Sequence, residues 1–462
     1  MQSSDIQNQF YVTPIISINM VKSIVIVVLA VVLFFVDCNA IAIPYVLLIA
    51  GTLVVMIQQK WYNEIALALP LFGYSFCLFL SKLTGIMNLG ILGSIVVLFF
   101  FIRLIGGLHF KNRLNVGEIS ILLPYAFLLV LIVFSFIYSI NNGYQNLKIQ
   151  LFLTWLAIFV FSMHTFDKGI KEFHFEAFLL LSFLLFVPHF SNATDKGISL
   201  SPYKVWQVYS VLNDGIRGHD FDIITATRIS GIGILAYLIY LLDFEIKKAY
   251  LIVPLVFFAV MLIICQTRQS IVALALAIVL FVLYNFIKEG TKNYFGIGIG
   301  ILFISYSLFN YLHYLEDNGV KSRIVSNVEG TSEEGTGREH IWNSAIEYLN
   351  TNGATVGFGN FKNAAHTHDY PHNIFLEILI EIGPLAIVLL FIILIYIFFE
   401  LYKVFFVYEE NTKLELFLIF ATIYFLGLAQ FSVDLPRNLM FFYTFALFVF
   451  TKHNKEREVV YE

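Results

Sequence analysis

Three histidines fall within seven residues in His366-Thr367-His368-Asp369-Tyr370-Pro371-His372-Asn373, a polar stretch that ends where a long apolar run begins. An imidazole with an ordinary pKa of about 6.5 can take the proton of a hydroxyl at ambient pH, so His372, nearest the run, is a candidate general base. The clustering also raises a metal site, but neither a cysteine nor a well-placed acidic set completes the ligands, so no metal is expected. Taken alone, His372 would equally suit a hydrogen-bonded interfacial histidine, and Asn373 suits the N-cap of the helix that follows. Glu377 and Glu381 stand one helical turn apart and project from one face, where they can orient His372 or pair with an arginine. Because they point the same way instead of across a scissile bond, an acid and nucleophile pair of the glycosidase kind is excluded.

Arginines supply the second kind of chemistry. Arg268 sits in the turn Cys265-Gln266-Thr267-Arg268-Gln269 between two apolar runs, Arg228 opens the run after a long polar stretch, and Arg217, Arg323 and Arg338 lie in polar stretches. A guanidinium presents a planar fork of donors that grips phosphate oxygens in pairs, and an arginine at a bilayer is costly without a partner. A diphosphate at the membrane surface meets both conditions; lipid headgroups, or the carboxylates of Asp220, Asp222 and Glu333, would meet them too. Gly296-x-Gly298-x-Gly300 lies inside an apolar run with no preceding strand, and reads as close helix packing instead of a phosphate loop.

A membrane must position these residues. Of 462 residues, 59% are hydrophobic and 13% charged, against about 25% charged in soluble domains, which excludes a soluble globular enzyme. Apolar runs recur near 20–36, 41–57, 64–81, 89–105, 119–140, 147–163, 173–190, 229–243, 250–265, 270–287, 294–312, 373–402, 414–431 and 437–452, each able to cross a hydrocarbon core of about 30 Å. The expectation is an all-α polytopic membrane protein with about 12–14 transmembrane helices. No small-residue cleavage pattern ends the first run, so it reads as retained. The expected organisation is N-terminal helices over 1–190, a large loop over 191–228, central helices over 229–312, a second large loop over 313–372, and C-terminal helices with a tail over 373–462. Within the second loop, Ile341, Trp342, Ala345, Ile346 and Leu349 recur at helical spacing and predict an amphipathic helix on the membrane or capping a cavity.

Orientation follows from lysine and arginine. With the N-terminus in the cytoplasm, sixteen basic residues fall on that side and only Lys82, Lys148, Arg268 and Arg437 in the short loops opposite, so both termini are placed inside and both large loops outside. Cys38, Cys77 and Cys265 are too scattered for a disulfide framework or a zinc pattern, and a net charge of −4 carries no signal for nucleic acid.

The order Arg228-Ile229-Ser230-Gly231, Thr267-Arg268-Gln269-Ser270, Arg338-x3-Trp342, Gly357-Phe358-Gly359 and His372-Asn373-x9-Gly383 resembles the O-antigen ligase and polymerase superfamily over roughly Asn213 to Ile395. The resemblance implies a multi-spanning, GT-C-like glycosyltransferase acting on undecaprenyl-diphosphate-linked oligosaccharide at the outer face of the bacterial inner membrane. It implies that His372 activates the acceptor hydroxyl, that Arg268 with Arg228 or Arg217 binds the diphosphate, and that the reaction inverts the anomeric carbon without metal or other cofactor. Arg338, Asn373, Glu377 and Glu381 would support that site. Membrane lipids and a chain-length regulator protein are the further partners implied. Gly383-Pro384-Leu385-Ala386 departs from the Gly-x-x-Gly common in ligases, and the asparagine-proline often found after the first arginine motif is missing, which favours a polymerase over a ligase. A flippase or exporter of lipid-linked oligosaccharide is the rival class, and it should carry charges along many spans.

Overall fold

The computed structural model describes residues 38–105, 116–137, 143–166, 173–194, 223–241, 250–265, 267–289, 337–352, 355–361, 371–430 and 434–461. Among them run α1 (Cys38–Gln58), α2 (Tyr62–Thr84), α3 (Asn88–Ile105), α4 (Val116–Ser135), α5 (Gly143–Thr165), α6 (Phe175–Thr194) and α7 (Ile223–Leu241), then α8 (Ile252–Cys265), α9 (Arg268–Glu289), α10 (Gly337–Asn352), α11 (Ile374–Glu381), α12 (Pro384–Phe406), α13 (Lys413–Ala429) and α14 (Leu435–Tyr461). The described residues contain no strand. The apolar runs near 20–36 and 294–312, the glycine triplet at 296–300, Arg217, Arg323, His366 and His368 lie outside the described residues.

Among the described residues, five helices are long and apolar enough to cross a bilayer (Tyr62–Ser81, Gln145–Thr165, Ile224–Leu241, Gln269–Lys288 and Pro384–Phe406), and five shorter apolar helices accompany them. The protein is an all-α polytopic membrane protein. Helices satisfy their own backbone polar groups, which hydrocarbon demands. Their outer faces keep large apolar side chains exposed, among them Ile43, Leu98, Phe127, Val279, Ile395 and Phe398, as a lipid-facing belt requires.

The centre of the bundle is α2, which packs on α6, α3 and α5; α13 packs on α14 and α9, and α7 on α8. With no hydrophobic drive between helices in lipid, close packing and interhelical hydrogen bonds hold the bundle. Tyr443 in α14 donates to the Ala66 carbonyl of α2 at 2.8 Å, Tyr237 in α7 to Leu179 of α6 at 2.8 Å, and Thr422 in α13 to Thr444 in α14 at 3.0 Å. Gly231 in α7 makes room for the ring of Tyr424, since a Cβ there would stand 2.2 Å from its hydroxyl oxygen.

Polar contacts gather at the two ends. At one, Thr412 forms a capping box with Glu415, Lys452 reaches Glu415 at 3.3 Å and Asn411 at 3.0 Å, and Lys288 donates to the Tyr408 carbonyl. These are residues placed on the cytoplasmic side by charge counting. The other end gathers the starts of α5, α7, α11 and α14 and holds the candidate site.

Two expectations are corrected. The run near 373–402 is not one helix, because Gly383 at φ 119° interrupts it and Pro384, which lacks an N–H, restarts the chain as α12. Arg228 does not open its helix: α7 begins at Ile223, five residues before Arg228 and within the expected loop, because Ile223 to Thr227 is itself apolar enough to extend the run.

Candidate active site

His372 stands immediately before α11, half-buried, with a left-handed backbone at φ 56°. A non-glycine residue there is uncommon, though histidine is among the enriched types, and such positions persist where the surroundings dictate them. The dictation is visible on both sides. Before it, the Trp342 indole of α10 donates to the Pro371 carbonyl at 2.8 Å. After it, the Asn373 side chain accepts from the Phe375 and Leu376 amides at 3.0 and 3.2 Å and caps α11, as expected from sequence. The Asn373 amide also reaches the Gln430 carbonyl at the end of α13, at 3.5 Å. The predicted amphipathic helix exists as α10, and it buries Ile341 and Ala345 against Phe361 and Ile380, so it covers α11.

Glu377 and Glu381 share one buried face of α11, and their partner is Lys148 of α5, not His372 or an arginine. The ammonium contacts Glu377 Oε1 and both oxygens of Glu381 at 2.8 and 2.7 Å, with all three side chains 0% exposed. Lys148 also lies 4.8 Å from the centroid of the Phe358 ring. Gly357-Phe358-Gly359 is a turn with φ 83° and 78° at its glycines; the Gly359 N–H donates to Glu381, and a Cβ at Gly359 would meet Gln145 Cα at 2.8 Å. Only glycine allows both that backbone and that approach. Glu377 Oε1 further accepts from the Leu435 amide at 2.9 Å, tying α11 to the start of α14.

The arginines converge on the same end. Arg228 is buried in the second turn of α7, and its Nη2 donates to the Arg437 carbonyl in the first turn of α14 at 2.9 Å. Asp434 lies 3.9 Å from the Arg437 guanidinium. Thr267, directly before α9, donates to Thr227 at 2.7 Å, and the Tyr424 hydroxyl donates to the Arg228 carbonyl at 3.1 Å, so the starts of α7 and α9 are pinned together. Arg268 is the first residue of α9 and Arg338 the second of α10; their side chains, like all of Arg217, lie outside the described residues. Arg228 and Arg437 together line a cavity of ≈ 190 Å³ whose other walls include Leu71, Tyr74, Leu151, Trp155, Ile232 and Met440. Two guanidinium-bearing residues at an apolar-walled cavity can receive a group with an anionic head and a hydrocarbon stem.

Residues 253–391 match the family described as O-antigen ligase. The match is a likeness to that family over under a third of the chain, and it agrees with the resemblance carried by the sequence motifs. It spans α8, α9, α10, α11 and the start of α12, and so takes in Arg268, Arg338, His372, Glu377 and Glu381, while Arg228 and Arg217 fall before it. No curated protein matches the chain.

Sequence reasoning passed over Lys148 and Arg437, counting both only as outer-loop charges. The structure puts them inside α5 and α14. One signal was there: Lys148 in Gln145-Asn146-Leu147-Lys148-Ile149 is a charge within an apolar run and requires a partner, and Glu377 and Glu381 are carboxylates in another such run.

Proposed function

We propose that the protein is an O-antigen, or surface-polysaccharide, polymerase that transfers an undecaprenyl-diphosphate-linked glycan onto a sugar hydroxyl of another lipid-linked repeat unit at the periplasmic face. The observation that supports this reading is that α11, which follows His372, is tied through Glu377 to the Leu435 amide, two residues before Arg437 of the arginine-lined cavity. His372 takes the proton of the acceptor hydroxyl, the oxygen attacks the anomeric carbon from the face opposite the diphosphate, and the bond to the leaving phosphate oxygen breaks. Configuration inverts. Arg228 and Arg268 neutralise the departing diphosphate, which needs fixed positive charge and no further proton donor. Transfer to lipid A-core, the ligase reaction, differs only in acceptor, and the departures at Pro384 to Ala386 favour polymerase. Purified protein incubated with a lipid-diphosphate repeat unit should give a ladder of products; a single transfer, seen only with a lipid A-core acceptor, would make it a ligase.

The proposed orientation puts this site in the periplasm and both termini in the cytoplasm of the inner membrane. Exposed Glu347 on α10 and exposed Glu409 between α12 and α13 test it on a chain stripped of its native cysteines. Glu347→Cys should react with an impermeant thiol reagent in intact spheroplasts and Glu409→Cys only after lysis. Labelling of Glu409→Cys before lysis would reverse the topology.

A further inference from the structure

We propose that Lys148 is a positioning residue, which sets the register of α11 against α5 and α14 and thereby fixes where His372 stands relative to the start of α14. The inference rests on the reading of His372 as the base.

α11 has eight residues, fewer than the roughly 12–15 that an isolated helix needs to persist in water, so its place comes from what it touches. It cannot inherit its direction from α12, because Gly383 breaks the chain between them. Glu377 and Glu381 are its polar contacts to the neighbouring helices, and both end on Lys148, with Glu377 also holding the Leu435 amide and Glu381 the Gly359 N–H. Rotating α11 by one residue, about 100°, would carry both carboxylates off the lysine and leave three buried charges unmatched. One ammonium thus selects one rotation of the helix whose N-terminus carries His372. Buried ion pairs are poor sources of net stability, since apolar pairs of similar volume often do as well; their best attested use is to fix register. A lysine with 0% exposure, contacting two carboxylates of one short helix, has the geometry of such a register pin.

The test is the charge-balanced double variant Lys148→Met with Glu381→Met, purified in lipid nanodiscs and assayed with a lipid-diphosphate repeat unit. Glu377, left without the ammonium, takes up a proton and keeps the Leu435 amide, so thermal unfolding and abundance should stay near wild type. The expected signature is a fall in kcat of at least about tenfold, the scale of lost alignment at a reacting centre, with KM and the affinity for a bare polyprenyl diphosphate changed less than about threefold. Wild-type kcat in the folded double variant would overturn the proposal, and so would a loss of kcat matched by equal losses in lipid-diphosphate binding and folded protein. Should the double variant fail to insert, Lys148→Arg decides. It keeps the charge but is longer and planar, and is expected to lower kcat severalfold at unchanged KM, whereas wild-type kcat would refute the pin. His372→Asn in the same assay separates the two readings. If it stays active, the base assignment falls; if it is dead while the Lys148 variants are fully active, only the positioning role falls.

Discussion

Replacing His372 should remove detectable chain growth in cells while membrane insertion and abundance stay near normal. General-base assistance is worth about 10² to 10⁴ in rate, and at the upper end of that range no polymer would accumulate. The backbone dictates which substitution is informative. At φ 56° an alanine meets the left-handed penalty of about 1–2 kcal/mol, so His372→Ala confounds a lost base with a strained turn. Asparagine tolerates that conformation and cannot serve as a base near neutral pH, so His372→Asn isolates the chemistry. His366→Ala and His368→Ala should cost much less. Equal loss in all three histidine variants, reversed by added zinc and abolished by chelator, would point to a metal instead. Wild-type polymer from His372→Asn at wild-type protein level would remove the histidine from the reaction and with it the catalytic assignment.

How far the sequence carries depends on what each signal encodes. Apolar runs report burial or lipid exposure, which is a property of a segment, so α1 to α6, α8, α9 and α13 follow the expected runs to within a few residues. The break between α11 and α12 is harder to read, because Ile382 and the residues after Pro384 keep the run apolar and only Gly383-Pro384 marks it. The Asn373 cap was legible, being a purely local hydrogen-bond pattern. The partner of Glu377 and Glu381 was not: Lys148 lies over two hundred residues away, and hydropathy says nothing about which helices adjoin. Arg228 was singled out for its type, yet the reason it matters, a bond to the Arg437 carbonyl and a shared cavity wall, depends on α7 meeting α14. Chemistry-bearing residue types were thus visible one at a time, and their assembly was not.

The arginines give the other large expected effect. Arg268→Ala should abolish transfer and Arg268→Lys should recover little, because a point ammonium cannot reproduce the two-pronged grip of a guanidinium on adjacent phosphate oxygens. Removing one donor aimed at developing charge typically costs about 10² to 10³ in kcat. For Arg228 the geometry adds a constraint: Nη2 is spent on the Arg437 carbonyl at 2.9 Å, so the side chain is anchored before any ligand arrives. A lysine there must choose between that carbonyl and the cavity, and should lose at least as much as Arg268→Lys. The kinetic form of the loss should be the same for both. If the diphosphate is gripped equally in the resting complex and the transition state, KM rises and kcat holds; if charge is stabilised as it develops, kcat falls with little change in KM. A departing diphosphate gains negative charge only as its bond to the sugar breaks, so the fall should appear in kcat. Full activity in Arg268→Lys would mean that charge alone suffices, and full activity in Arg228→Ala would leave Arg268 and Arg217 to hold the leaving group without it.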